Sequence, residues 1–141
     1  METALPTQIQ LEIVTPDRQV VHDSVTSVTI PGKNGCLGVL PGHAPLLSEL
    51  AAGELSYTRG RVIHYLAVSW GFAEVLPDRV IILAQTAERA EEIDVERAER
   101  AKARAEDRLR KTLDPQIDAE RARAAYEKAL ARLEAARRAG S

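Results

Sequence analysis

The chain has 141 residues, and its 19 Lys and Arg against 21 Asp and Glu give a formal net charge of −2 at pH 7. This near-neutral balance argues against a nucleic-acid partner, which requires a strongly basic face. The one cysteine, Cys36, excludes an internal disulfide and a cysteine-based metal cluster. No apolar run approaches the roughly 20 residues of a membrane-spanning helix, and no secretory signal pattern is visible. We therefore expect no direct membrane insertion.

The composition changes sharply along the chain. Residues 1–87 hold 13 charged residues and 23 Val, Ile and Thr, whereas residues 88–141 hold 27 charged residues and four Val, Ile and Thr. The first part also has seven of the eight Gly and six of the seven Pro. β-branched residues with turn formers favour strands, and straight-chain residues with Ala favour helices. The sequence thus predicts an all-β domain over residues 1–87 and a helical domain over residues 88–141.

The first domain has the pattern of a small antiparallel β-sandwich. Ile9, Leu11 and Ile13 alternate with polar residues, which is the two-residue period of a half-buried strand. Further β-rich runs cover residues 25–30, 62–68, 72–76 and 80–84, and the dipeptide Asn34-Gly35 predicts a tight turn. No helix separates these runs, so a parallel sheet is not expected.

The second domain has the pattern of an antiparallel two-helix hairpin. Two stripes at helical spacing are mostly alanine: Val95, Ala98, Ala101, Ala105 and Leu109, then Ala122, Ala125, Ala129, Leu133 and Ala136. Asp94 is predicted to cap the first helix. Asp114 is predicted to cap the second, with Pro115 in its first turn. Alanine has a high helix propensity, so these helices form easily. Alanine also buries little area, so the helices undock easily. A rigid hairpin held by charged pairs such as Glu96–Arg100 is the alternative.

The chain carries no pattern of an enzyme active site. Ser69 lies near a nucleophile-elbow pattern, but a β-like run follows it instead of the helix that the motif requires. Gly32, Gly35 and Gly38 have neither dinucleotide-binding nor phosphate-loop spacing. The three histidines lack metal-ligand spacing. We therefore predict no catalytic residues and no metal site.

One segment is typical of a recognition loop. Two prolines, a glycine and a histidine fall within the five residues Pro41, Gly42, His43, Ala44 and Pro45, and two leucines follow. A stiff, partly apolar loop loses little entropy on binding. A rigid connection between strands is the alternative interpretation.

Several of these motifs, in this order, resemble the epsilon-subunit family of the rotary F-type ATP synthase of bacteria and chloroplasts. The matching stretches are residues 11–16 (LEIVTP), 38–47 (GVLPGHAPLL), 71–75 (GFAEV), 82–84 (ILA) and 93–98 (IDVERA). The resemblance implies a β-sandwich followed by a mobile two-helix hairpin. It implies a non-catalytic subunit of the central stalk, which couples proton-driven rotation to ATP synthesis.

The resemblance also implies the partners and the location. The sandwich is expected to bind the gamma subunit and the ring of c subunits, and the extended hairpin to reach the alpha/beta hexamer and inhibit ATP hydrolysis. The subunit is expected at the cytoplasmic face of the bacterial membrane, or at the stromal face of the thylakoid membrane, as a peripheral protein. The implied partner-binding residues are Cys36, the loop Pro41–Pro45, and Arg108, Arg121 and Arg123 of the hairpin.

ATP is implied as a regulatory ligand, and no cofactor is required. Some members of the family bind ATP on the folded hairpin through an Ile/Leu-Asp-x-x-Arg-Ala motif. Carried over position by position, the implied site consists of Glu88, Ile93, Asp94, Arg97, Ala98, Arg104, Lys128 and Arg132. Basic residues on both helices would bind the phosphates together only when the hairpin is folded.

Three positions depart from the family pattern. Lys128 replaces an arginine, which keeps the charge but loses two-pronged hydrogen bonding. Cys36 stands where relatives often have an acidic residue, and Trp70 where glycine is usual. Two alternative functions stay open, namely a free-standing ATP sensor and a helical-hairpin adaptor.

Overall fold

The computed structural model describes residues 5–111 and 113–140. Its strands are β1 (Ile9–Val14), β2 (Gln19–Val25), β3 (Ser27–Gly32), β4 (Gly35–Val39), β5 (Leu46–Leu50), β6 (Gly53–Arg59), β7 (Val62–Leu76) and β8 (Arg79–Arg89). A single turn of 3₁₀ helix (Ala90–Glu92) leads to helices α1 (Val95–Arg110) and α2 (Ala119–Ala139). The predicted order, a β-sandwich followed by a two-helix hairpin, is confirmed.

The sandwich is organised around one long, bent strand, β7. The first half of β7 pairs with β6 and its second half with β5, while β8 pairs along the other edge of both halves. The inward side chains of β1, Ile9, Leu11 and Ile13, are fully buried, as the alternating pattern predicts. They pack against buried Leu55 and Leu66 of the facing strands in one hydrophobic core.

The bend in β7 lies at Trp70 and Gly71. Gly71 has φ +133°, and a Cβ built there would lie 1.9 Å from the carbonyl oxygen of Leu83. Only glycine fits such a close backbone approach. Trp70 has φ +46°, which places a bulky residue in the left-handed region.

One strand pair departs from the predicted antiparallel sandwich, because β1 and β8 pair in parallel, from Gln10 opposite Arg79 to Val14 opposite Leu83. Strands β2 to β7 lie between these two in sequence and serve as the crossover, so no helix is needed. The remaining strand pairs are antiparallel in the part of the chain that the structure describes.

Two local predictions also need correction. Residues 25–30 are not one strand, because Thr26 separates β2 from β3 and donates its N–H to the carbonyl of Thr58. The tight turn between β3 and β4 consists of Lys33 and Asn34, with Gly35 as the first residue of β4. Leu46 and Leu47, which follow the predicted recognition loop, begin β5.

The capping prediction is confirmed for the first helix and wrong for the second. Asp94 caps α1 by accepting from the N–H of Arg97 at 3.1 Å. The cap of α2 is Asp118, which accepts from the N–H of Arg121 at 3.1 Å. Asp114 instead accepts from the N–H of Gln116 and closes a local turn. Thr112, in the connection, lies outside the described residues.

Helix α2 has two buried faces, where the sequence predicts one. Ala122 and Ala129 are buried as predicted, but so are Ala131 and Ala135, which lie on nearly the opposite side of the helix. Ala125 of the predicted stripe is exposed. The second face exists because α2 packs between α1 and the sheet of β6 and β7.

The hairpin is docked on the sandwich through small side chains. Ala131 and Ala135 of α2 pack with Ala67 of β7 and Ala90 of the connector, and Tyr65 and Ile93 flank them. Ion pairs surround this contact, including Arg138 Nε to Glu54 Oε2 at 3.5 Å. The ion pair Glu96–Arg100, given as an example of the alternative, is not present among the described residues; α1 instead has the pair Lys102–Glu106, and Asp107 pairs with Lys111 at its end.

Candidate functional site

A cleft of about 280 Å³ lies where α2 meets the strands β7 and β8. Ala67, Val68 and Ala131 form its apolar part, and the buried hydroxyl of Ser69, hydrogen-bonded to that of Thr86, lies among them. Its charged residues come from four segments and are Arg18, Glu88, Glu92, Lys128 and Arg132. The cleft exists only while the hairpin is docked, because both domains line it.

Three of the eight residues implied as a nucleotide site meet in this cleft. Glu88, at the end of β8, accepts a hydrogen bond from Arg132 of α2, with 2.8 Å between Oε1 and Nε. Both side chains are about one-quarter exposed, so the pair is shielded from bulk water. Lys128 lies one helical turn before Arg132 on the same face of α2.

The other five implied residues do not line the cleft. Asp94 caps α1, Ala98 is buried in α1, and Ile93 flanks the alanine contact between hairpin and sandwich. Arg97 and Arg104 are exposed along α1. In this docked arrangement the motif residues therefore build the start of the hairpin.

Sequence reasoning missed four polar residues of the cleft. Arg18, on the turn between β1 and β2, forms an ion pair with Glu92 of the connector, with 3.2 Å between Nη2 and Oε2. Ser69 and Thr86 face each other across the β7–β8 pair. These residues are far apart in the chain and share no motif, so only the tertiary fold brings them together. Ser69 sits inside β7 and is 1% exposed, with no helix after it.

The implied recognition loop, Pro41–Pro45, joins β4 to β5 and is tied down by hydrogen bonds. The N–H of Gly42 donates to the carbonyl of Pro77 at 2.7 Å, which fixes the loop to the turn between β7 and β8. Gly42 has φ +88°, and His43 Nδ1 lies 2.7 Å from the carbonyl oxygen of Ala44. The loop is therefore preordered, with Ala44 and Pro45 exposed.

An apolar face lies beside this loop. Leu47, Phe72 and Leu83, on β5, β7 and β8, are 67%, 51% and 54% exposed. Phe72 is directly opposite Leu83 in the sheet, and Leu47 is diagonal to Phe72 across the β5–β7 pair. Large apolar side chains grouped on a surface mark an interaction site. We refer to these three residues as the apolar face.

The remaining implied partner residues are exposed but dispersed. Cys36 is a free, exposed thiol on β4. Arg108 and Arg121 line a shallow pocket at the tip of the hairpin, and Arg123 is exposed on α2. The structure thus places the three arginines near the helix ends that meet at the tip.

Neither a metal site nor a membrane-spanning helix is present in the part of the chain that the structure describes. Residues 5–111 and 113–140 contain no group of three His, Cys, Asp or Glu that could hold a metal ion. Nor does either helix there have the length and apolar character to cross a membrane.

Two domain profiles of one family match the chain. The domain described as "ATP synthase, Delta/Epsilon chain, beta-sandwich domain" matches residues 8–90. The domain described as "ATP synthase, Delta/Epsilon chain, long alpha-helix domain" matches residues 91–137. The two matches divide the sequence in the same order as the sandwich and the hairpin.

Curated relatives carry a consistent name. The chain is 64% identical over 100 residues to the ATP synthase epsilon chain of Koribacter versatilis, which covers 71% of this chain and 70% of the relative. It is 50% identical over 129 residues to the ATP synthase epsilon chain of Syntrophobacter fumaroxidans, covering 92% of this chain and 96% of the relative.

Solved structures share the fold. A chain of the Euglena gracilis mitochondrial ATP synthase, from a cryo-EM structure of OSCP, F1 and the c ring, has a TM-score of 0.82 and 29% identity. The match covers 96% of this chain and 85% of that one. A chain from the central stalk and c ring of the Tetrahymena thermophila mitochondrial ATP synthase has a TM-score of 0.58 and 13% identity, covering 98% and 100%.

Proposed function

The chain belongs to the epsilon-chain family of the F-type ATP synthase, and from this we propose that it is a non-catalytic subunit of the central stalk. In this role it couples the proton-driven rotation of the c ring and the gamma subunit to ATP synthesis. The sandwich is the part that binds these partners. The subunit then lies at the cytoplasmic face of the bacterial membrane as a peripheral protein, or at the stromal face of the thylakoid membrane.

The observation that carries this proposal is the apolar face beside the preordered loop. Leu47, Phe72 and Leu83 lie along the second half of β7 and its neighbours, whereas α2 packs along the first half. The surface therefore stays available with the hairpin docked. Gamma is the partner proposed for the apolar face, and the c ring for Cys36 and the loop.

A single substitution tests the stalk role. Phe72→Glu should weaken binding of the recombinant gamma subunit at least tenfold, because it replaces an exposed aromatic side chain of the proposed contact with a charge. Affinity is measured by calorimetry with the full-length chain.

Ile63→Glu is the matched control, because Ile63 lies on the first half of β7 and is 52% exposed. It should bind gamma like the wild type. Equal gamma affinity for Phe72→Glu and the wild type would rule out the apolar face as the gamma contact. A helical-hairpin adaptor, by contrast, would bind its partner through residues 88–141 alone.

The hairpin is proposed to inhibit ATP hydrolysis when it leaves the sandwich and extends into the alpha/beta hexamer. The alanine contact supports this, because small side chains bury little area and leave only a small energy gap between docked and undocked states. Arg108, Arg121 and Arg123 are the residues proposed to meet acidic groups of the hexamer.

ATP is proposed to bind in the cleft and to hold the hairpin docked. Glu88, Lys128 and Arg132 converge there, and Glu88 pairs with Arg132 in this structure. A bound triphosphate has to compete with that carboxylate for the guanidinium. A free-standing ATP sensor would bind ATP in the same way but would have no affinity for gamma.

A further inference from the structure

The charges of the cleft are unbalanced. Arg18, Lys128 and Arg132 face it with Glu88 and Glu92, so the cleft has three cations and two carboxylates. Each arginine pairs with one carboxylate, at 3.2 Å and 2.8 Å. Lys128 is half-buried and has no ion-pair or hydrogen-bond partner among the described residues. The cleft thus has a net positive charge and suits a multivalent anion such as a phosphate chain.

The cations of α2 cannot by themselves make anion binding depend on docking. Lys128 and Arg132 are one turn apart on a continuous helix, so they stay together whether the hairpin is docked or extended. A ligand shifts a conformational equilibrium only through contacts that differ between the two states. A cation on the sandwich is needed to supply such a contact.

Arg18 is the cation that the sandwich contributes. It lies on the turn between β1 and β2, and it lines the same cleft as Lys128 and Arg132. Its pair with Glu92 is about half exposed, at 55% and 47%, so exchanging the carboxylate for another anion costs little.

We propose that Arg18 binds the phosphate groups of the ligand in this cleft and makes their binding depend on the docked hairpin. The proposal rests on the proposed nucleotide site. Arg18 leaves Glu92 and bridges the phosphates to Lys128 and Arg132, which closes the cleft across the domain boundary. Glu92 then turns to solvent, where it is already half exposed.

Calorimetric titrations with ATP, pyrophosphate and adenosine test this in the full-length chain. Arg18→Ala should weaken binding of ATP and of pyrophosphate by about tenfold each, because one charge-assisted hydrogen-bond donor is lost. Adenosine binding should not change. Similar affinities for ATP and pyrophosphate would mean that the phosphate chain alone, free or on a nucleotide, is the ligand.

Two variants separate a phosphate contact from a structural role. Glu92→Gln breaks the same ion pair but leaves Arg18 in place, so it should bind ATP as tightly as the wild type or more tightly. Arg59→Ala is the matched control, because Arg59 is an exposed sandwich arginine paired with Asp23. It should not alter ATP affinity.

Amide exchange of α2 reports the coupling to docking. Saturating ATP should slow exchange in α2 of the wild type, and it should slow it less in Arg18→Ala at the same fractional saturation. Equal protection in both proteins would overturn the proposed coupling.

The remaining outcomes are distinguishable. ATP binding by the wild type with unchanged affinity in Arg18→Ala overturns this inference and leaves the nucleotide site standing. The same holds if Glu92→Gln weakens ATP binding as much as Arg18→Ala does, or if Arg18→Ala weakens adenosine binding too. Absence of binding of both ATP and pyrophosphate by the wild type overturns the nucleotide site and this inference together, while the gamma-binding role is unaffected.

Discussion

Trp70 occupies a backbone conformation that favours glycine. Its φ of +46° puts it in the left-handed region, next to Gly71 at the bend of β7. The side chain is half-buried, so it also contributes packing. The family resemblance implies glycine at this position, and the bend gives the physical reason.

We expect Trp70→Gly to be more stable than Trp70→Ala by about 1 kcal/mol. Both substitutions remove the indole, but only glycine adopts a positive φ without strain. The free energy of unfolding, from urea titrations of the two variants, measures the difference. If Trp70→Ala were equally stable or more stable, the bend would impose no strain on a side chain.

The double burial of α2 has a consequence at the scale of the element. Ala131 and Ala135 contact the sandwich, while Ala122 and Ala129 lie on the side of α1. Burial raises the pKa of Glu54 above its ordinary value of 4.5, even though Arg138 is 3.5 Å away and lowers it. The cost of burying Glu54 thus offsets part of what its ion pair with Arg138 contributes to docking. The alanine contact supplies the apolar part of the docking interface.

Ala135→Leu should therefore release the hairpin without unfolding either domain. Ala135 is fully buried, so the larger leucine side chain does not fit between α2 and the sheet. This overpacking shifts the equilibrium towards the undocked state by about 2 kcal/mol. Amide exchange of residues 131–139 should accelerate, while the core of the sandwich keeps its protection.

Ala125→Leu is the matched control, because Ala125 is exposed on the same helix. It should leave exchange unchanged. If Ala135→Leu exchanged like the control, the alanine contact would not be what holds the hairpin on the sandwich.

The helices and strands could be predicted from the sequence more completely than the contacts between them. Alternation in β1 and the capping residue Asp94 are local signals, and the structure confirms both. The second face of α2 could not be predicted, because alanine is compatible with either side of a helix. The cap at Asp118 was missed because Asp114 before Pro115 is an equally good local signal.

The site was predictable only where the family motif extends to it. Glu88, Lys128 and Arg132 could be named from the resemblance, and the structure brings them into one cleft. Arg18 and Glu92 belong to no motif, and 74 positions separate them in the chain. Their proximity follows from where the turn after β1 meets the connector, which no periodicity encodes.

At the scale of the whole molecule, the sandwich has a hydrophobic core of its own. The sandwich core contains no residue of α1 or α2. A chain that ends at Glu92 should therefore fold and bind gamma.

We expect the ATP synthase complex that carries this truncated chain to assemble and to hydrolyse ATP faster than the complex with the full chain. The reason is that the hairpin proposed to enter the alpha/beta hexamer is gone. Steady-state hydrolysis by the two purified complexes measures the effect. Equal rates at equal subunit content would show that this hairpin does not inhibit.

The parallel pairing of β1 with β8 also determines when the protein can fold during its synthesis. Until residues 79–89 have left the ribosome, β1 has only β2 as a neighbour, and the sandwich cannot close. The hairpin follows β8 in the chain, so it leaves the ribosome after the strands of the sandwich. The hairpin therefore docks for the first time on a sandwich whose strands are all available, which is the same step that is proposed for it in the assembled enzyme.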